Sequence, residues 1–203
     1  VPPAFSPNGK YLATAGTYDG TVRLFDAATH SLTRVFTVGP EWITSIAFSP
    51  DSASFAVGSG NPDTKPAVYA SRVWSTSTGQ RQVEFKVHKN WISGIAFTKD
   101  GTRVVTSDHD QRALVWMITN GNVVNEITDI PNGVNCLAVT SGGTLFALAE
   151  GTEVSVRDLA TGTRRLSSVG MPIPIVGLAF TRHGTKIAAA STDGNVAIWS
   201  FSG

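Results

Sequence analysis

His88, Thr106 and Asp110 are three residue types that a hydrolase combines, and they fall within one short stretch of the chain. A histidine that can take a proton, a hydroxyl that can attack and a carboxylate that can orient the ring form a nucleophilic triad where they meet at an open site. The surroundings point elsewhere. Thr106 sits in a run that predicts a strand interior, with no nucleophile elbow and no identifiable oxyanion hole. His30, His109 and His183 are scattered through turns, with no metal-ligand spacing among them or to Cys136. Asp19, Asp110 and Asp193 recur after second strands, where a carboxylate accepts backbone N–H bonds and shapes the turn. No phosphate loop or His-Glu-x-x-His run is present. The expectation is no catalytic residue, no metal and no cofactor.

The same stretch shows what positions these groups. From His88 to Trp116 apolar residues alternate in three short runs, separated by Lys99-Asp-Gly101 and Asp108-His-Asp110. Period-two runs of this length predict strands joined by tight turns. Phe25, Trp74, Trp116, Arg157 and Trp199 fall at corresponding places, with steps of 49, 42, 41 and 42 residues. The apolar runs 42–48, 91–97, 133–139 and 174–180 correspond as well. A period near ~42 residues with several strands per unit belongs to propeller blades.

On these residues the chain resembles the WD40 repeat family, which places a histidine before the first strand, a Ser or Thr in the second, an Asp in the following turn and a Trp in the third. His88, Thr106, Asp110 and Trp116 match that set. The resemblance implies a buried polar network in which each member satisfies the next, a structural device that needs no substrate. It implies an all-β propeller of about 4.8 four-stranded repeats, with units near 1–30, 31–79, 80–121, 122–162 and 163–203 forming one partial domain over 1–203. A segment of a seven-bladed ring is the expected setting, and an imperfectly closed five-bladed ring the alternative.

Two units depart from the pattern. The 49-residue step places about seven extra residues at 58–67, whose Gly, Pro and polar composition predicts a surface loop, either binding or merely tolerated. In the fourth unit Arg157 replaces the tryptophan and the polar set is missing, so apolar packing is expected to hold that blade. In the fifth, Met171 and Ala189 take the histidine and hydroxyl positions.

Composition bounds the partners. With 41% hydrophobic residues, 15% charged and a net charge of +1, the chain has neither the basic excess of a nucleic-acid binder nor a disordered composition. One cysteine, no 18-residue apolar run and no Asn-x-Ser/Thr acceptor fit an intracellular, cytoplasmic protein without membrane contact. Trp42 and Trp91 stand at one position of adjacent repeats, just before a first strand, which in the resembled family lies on the partner-binding face. Tyr18, His109 and Arg112 approach that face from the turns. The plain alternative has each indole lying over its own turn. The function expected is a noncatalytic platform for proteins or peptides, including neighbouring subunits of an assembly; a histone-tail or nucleic-acid reader and a propeller hydrolase are the alternatives.

Overall fold

A computed structural model describes residues 1–16, 18–61, 63 and 67–201, with the side chains of 167 and 168 left aside. The strands form five antiparallel sheets in chain order. The first holds β1 (Ala4–Phe5), β2 (Tyr11–Gly16), β3 (Thr21–Asp26) and β4 (Leu32–Thr37), and the second β5 (Trp42–Phe48), β6 (Ser54–Asn61), β7 (Val68–Ser75) and β8 (Arg81–Phe85). The third holds β9 (Ile92–Phe97), β10 (Arg103–Asp108), β11 (Ala113–Met117) and β12 (Val123–Ile127). The fourth holds β13 (Cys136–Val139), β14 (Leu145–Glu150), β15 (Glu153–Asp158) and β16 (Arg164–Gly170), and the fifth β17 (Ile175–Phe180), β18 (Lys186–Ser191) and β19 (Val196–Ser200). A sequence repeat is thus offset from a sheet by one strand, so each repeat supplies the outer strand of one sheet and three strands of the next.

Successive first strands β5, β9, β13 and β17 pack side by side, and the sheets stack face to face around them. Leu24 and Phe36 of the first sheet meet Ile43 and Phe55 of the second; Val73 and Phe85 meet Val104 and Trp116; Val115 and Ile127 meet Phe146 and Leu148; Val154 and Val156 meet Ile175 and Ile187. An inner strand is therefore covered on both faces, which explains continuous apolar runs such as Leu145-Phe-Ala-Leu-Ala149 where a one-sided sheet would alternate. The third-strand residues Leu24, Val73, Val115 and Val156 are 0% exposed, whereas their counterpart Ile198 is 63% exposed. At the opposite face Phe5, Leu12 and Phe25 line an apolar hollow of about 410 Å³.

Residues 58–61 of the 58–67 segment are strand, where composition suggests a loop. β6 and β7 each run to eight residues and pair from Ser54↔Ser75 to Asn61↔Val68, so most of the extra residues lengthen a hairpin. Residues 62 and 64–66 lie outside the described set. Gly58 and Gly60 mark close approaches: a Cβ at Gly58 would stand 2.7 Å from Ile92, and one at Gly60 2.8 Å from Tyr69.

Turn aspartates organise the exposed hairpins. Asp26, Asp51 and Asp158 accept bonds from hydroxyls and amides of their own turns and lie below the usual carboxylate range. Burial would raise Asp100, but the Thr98 hydroxyl and the Thr102 amide outweigh it and bring it from 3.8 to about 2. Because the folded values are depressed, these carboxylates stabilise the fold above their ordinary range, and that contribution is lost as pH falls toward about 2. Melting temperature followed by circular dichroism is expected to hold through neutral pH and fall below about pH 4, with Asp100→Asn flattening the fall. A melting temperature unchanged down to about pH 2.5 would contradict this assignment.

Candidate interaction surface

The grouping that resembles a triad is sealed inside the third sheet. His88 Nδ1 lies 2.6 Å from Asp108 Oδ2, His88 Nε2 lies 2.6 Å from Thr106 Oγ1, and the Trp116 indole N–H donates to the same hydroxyl oxygen at 3.3 Å. The side chains of His88 and Asp108 are 0% exposed, and Thr106 and Trp116 are equally buried. One proton arrangement gives every donor an acceptor: indole to threonine, threonine to Nε2, Nδ1–H to the carboxylate. Asp108 Oδ1 then accepts the amides of Asp110 and Arg112. A hydroxyl so enclosed and so committed has no approach for a substrate.

The carboxylate in this network is Asp108, which corrects the expectation of Asp110. Residues two apart in a strand face the same side, so Asp108 at the end of β10 follows Thr106 inward. Asp110 is exposed in the turn, 3.5 Å from Asn90 Nδ2.

Other blades replace this network with buried arginine. In the second, Arg72 donates to Glu84 at 2.6 Å, Glu41 at 2.8 Å and Ser59 at 2.9 Å. Val57 holds the place of Thr106 there, and the Trp74 indole N–H is buried without a partner among the described residues. In the fourth, Arg157 is 1% exposed. It donates to the Asp129 carboxylate at 2.7 Å and to the Asp129 carbonyl at 3.2 Å, and lies 3.7 Å from Glu150. Ser155 donates to Glu150, which also meets Arg164 at 3.4 Å. The fourth blade therefore has a charged core, against the expectation of apolar packing alone.

At the end of the blades where β5 and β9 begin, three aromatic rings form a row. Tyr18 meets Trp42 edge to face at 5.4 Å between centroids, and Trp42 meets Trp91 at 5.0 Å with a 40° tilt. The row crosses three sheets, so the indoles do more than cover their own turns. The lengthened hairpin supports it: Trp42 pairs with Gly60, and a Cβ at Gly60 would lie 3.7 Å from the Trp91 ring. Asn61 Nδ2 donates to the carbonyl of Pro40, two residues before Trp42. Tyr18 is 80% exposed, and the indole N–H groups of Trp42 and Trp91 are unpaired among the described residues. Trp42, Trp91, His109 and Asn135 help to line an open cavity of about 500 Å³, and the His109 amide donates to the Trp91 carbonyl at 3.1 Å.

Arg112 does not join this surface. It donates to Glu126 on β12 at 2.7 and 2.9 Å and to the carbonyl of Val87, bracing the outer strand. Gly60 and Asn61 belong to the 58–67 segment, but their loop-like composition gives no sign that they pair with Tyr69 and Val68 beneath the aromatic row. Among the described residues no group of three or more His, Cys, Asp or Glu side chains could hold a metal, and no helix is long and apolar enough to cross a membrane. Cys136 is half-buried, and burial pushes its thiol up to about 12.

Meander sheets stacked on their first strands, one of them fixed by a His, Thr, Asp and Trp network, define a β-propeller built from a repeated blade. The family described as "WD domain, G-beta repeat" matches residues 4–26, 31–62, 79–117 and 172–200, more than half of the chain. The chain belongs to the WD40 family. The unmatched residues 118–171 include the blade in which Arg157 replaces tryptophan. Telomerase protein component 1 of Mus musculus is 27% identical over 98% of this chain and 7% of its own length. Echinoderm microtubule-associated protein-like 2 of Homo sapiens is 28% identical over 97% of this chain and 27% of its own length. Target of rapamycin complex subunit wat1 of Schizosaccharomyces pombe is 25% identical over 96% and 60%. The chain thus spans a small part of the first of these relatives and about a quarter of the second.

Proposed function

We propose that this chain is a noncatalytic, intracellular platform that holds protein or peptide partners at the rim formed by Tyr18, Trp42 and Trp91. The observation that carries the reading is the continuous aromatic row, held by three sheets, with Tyr18 exposed and Trp42 and Trp91 half-buried beside an open cavity. Large aromatics with few rotatable bonds supply much of the energy of protein interfaces. A surface fixed by paired strands also loses little freedom on binding. Relatives whose names describe a telomerase component and a subunit of the target of rapamycin complex support membership of an assembly. The burial of Thr106 and His88 weighs against the hydrolase alternative.

Affinity capture with this chain, repeated with Trp42→Ala/Trp91→Ala, tests the reading. The double variant is expected to lose most of the captured proteins while keeping its circular dichroism spectrum. An unchanged set of partners at unchanged yield would overturn the role of this rim.

A further inference from the structure

Exposed carboxylates stand on the segments that carry the aromatic row or pair with them. Asp19 follows Tyr18 directly. Asp63 stands at the end of the long hairpin, its amide donating to Asn61 Oδ1 at 2.9 Å, and Asn61 in turn reaches the carbonyl of Pro40 ahead of Trp42. Asp110 lies 3.5 Å from Asn90 Nδ2, and Asn90 Oδ1 accepts the amide of Trp91 at 2.8 Å.

The nearby cations are mostly committed. Arg23 pairs with Asp19 at 2.9 Å in an exposed bridge that a ligand can displace, and Arg112 is turned away onto Glu126. Lys89 is exposed beside Asn90, while Lys65 lies outside the described residues. Asp63 and Asp110 have no cationic partner among the described residues. The rim therefore combines stacked π faces, carboxylates and unpaired indole N–H donors, on a chain whose overall charge is close to neutral.

From this combination we infer that the rim binds an extended peptide segment carrying arginine, with a guanidinium stacked on Trp91, the end ring of the row, and its N–H groups turned to Asp63 or Asp110. The inference rests on the platform reading and specifies its ligand. Trp is the best cation–π partner among the side chains. A planar guanidinium stacks on a ring and still presents donors to a carboxylate, whereas an ammonium is compact and strongly hydrated. Trp42 is bracketed by Tyr18 and Trp91, which leaves no gap between the rings for a cation and makes Trp91 the end ring against which a guanidinium can lie. Backbone carbonyls of an extended segment can take the indole N–H groups.

Fluorescence anisotropy with four labelled twelve-residue peptides tests this: an extended Gly/Ser backbone with three Arg, the same with Lys, the same with Gln, and a proline-rich peptide without charge. The Arg peptide is expected to bind at least tenfold more tightly than the Gln peptide and several-fold more tightly than the Lys peptide. Raising salt from about 50 to about 300 mM is expected to weaken it several-fold. Trp91→Ala is expected to lose at least tenfold, with Trp91→Phe recovering part of it, and Asp63→Asn/Asp110→Asn to lose several-fold and flatten the salt dependence. Thermal melts confirm that each variant is folded.

Equal binding of the Arg and Gln peptides, or Arg-peptide affinity unchanged in Trp91→Ala, overturns the inference. Preference for the proline-rich peptide also overturns it, assigning the rim an uncharged polyproline ligand and leaving the platform reading standing. If no peptide binds while Trp42→Ala/Trp91→Ala still abolishes capture, the arginine assignment falls and the rim remains a protein-binding surface. If capture is also indifferent to those residues, both fall.

Discussion

Replacing Arg157 by alanine is expected to destabilise the chain by roughly 3–5 kcal/mol, because it removes the buried cation beside a buried acid and leaves a cavity. Glu150 is 2% exposed at its side chain and lies against the Arg157 guanidinium. Without it, Glu150 keeps the Ser155 hydroxyl and Arg164 at 3.4 Å, a partly exposed cation whose attraction solvent screens. A loss of this size is a large share of the stability of an ordinary domain, on the order of 5–15 kcal/mol. Blades contact chiefly their neighbours, so the effect should be local before it is global. Amide exchange is expected to accelerate first in β13 to β16, and the urea transition to broaden or split. The companion variant Arg157→Met/Glu150→Leu removes both charges and fills the space, and is expected to recover most of the loss, since apolar replacement of a whole buried pair is often neutral or favourable. If alanine alone shifts the urea midpoint no more than a surface substitution does, the charged core of this blade contributes nothing and apolar packing suffices.

The strands were legible because they are short, alternate or run apolar, and repeat; covering each sheet on both faces forces that composition. Partnerships spanning distant parts of the chain were not. Arg157 reads as a break in the tryptophan series, and nothing local announces that Asp129, from the preceding loop, will close over it. Gly58-Ser-Gly-Asn61 has loop composition, yet its glycines serve close packing by Ile92, Tyr69 and Trp91. Arg112 follows a turn near the rim, but its long side chain reaches the neighbouring strand β12 at Glu126. Trp42 and Trp91 could be placed together from the repeat alone, because equivalent positions in adjacent blades are neighbours. What the repeat does not contain is the third ring, contributed by a turn of the first sheet, or the hairpin beneath.

Asp108→Ala is expected to destabilise the third blade by about 3 kcal/mol, whereas Asp110→Ala should stay within about 0.5 kcal/mol of the parent. The two carboxylates are two residues apart and chemically alike, so the contrast isolates environment. Asp108 accepts His88 Nδ1–H at 2.6 Å and the amides of Asp110 and Arg112 at 2.9 and 3.1 Å. Its removal leaves the imidazole N–H buried without an acceptor and releases two turn amides, and an unmet buried donor carries its full desolvation penalty. Asn in its place can still accept from the amides or from His88, so Asp108→Asn should fall between parent and alanine. Asp110 faces water and offers a long contact to Asn90, which solvent replaces. The strain reaches further than one sheet, because Trp116, at the far end of the hydrogen-bonded chain, stacks on Phe85 at 4.7 Å and forms part of the contact between the second and third blades. Urea denaturation monitored by tryptophan fluorescence reads both effects. Equal losses for Asp108→Ala and Asp110→Ala, or the larger one at Asp110, would show that the polar network is closed through the turn and not through the end of β10.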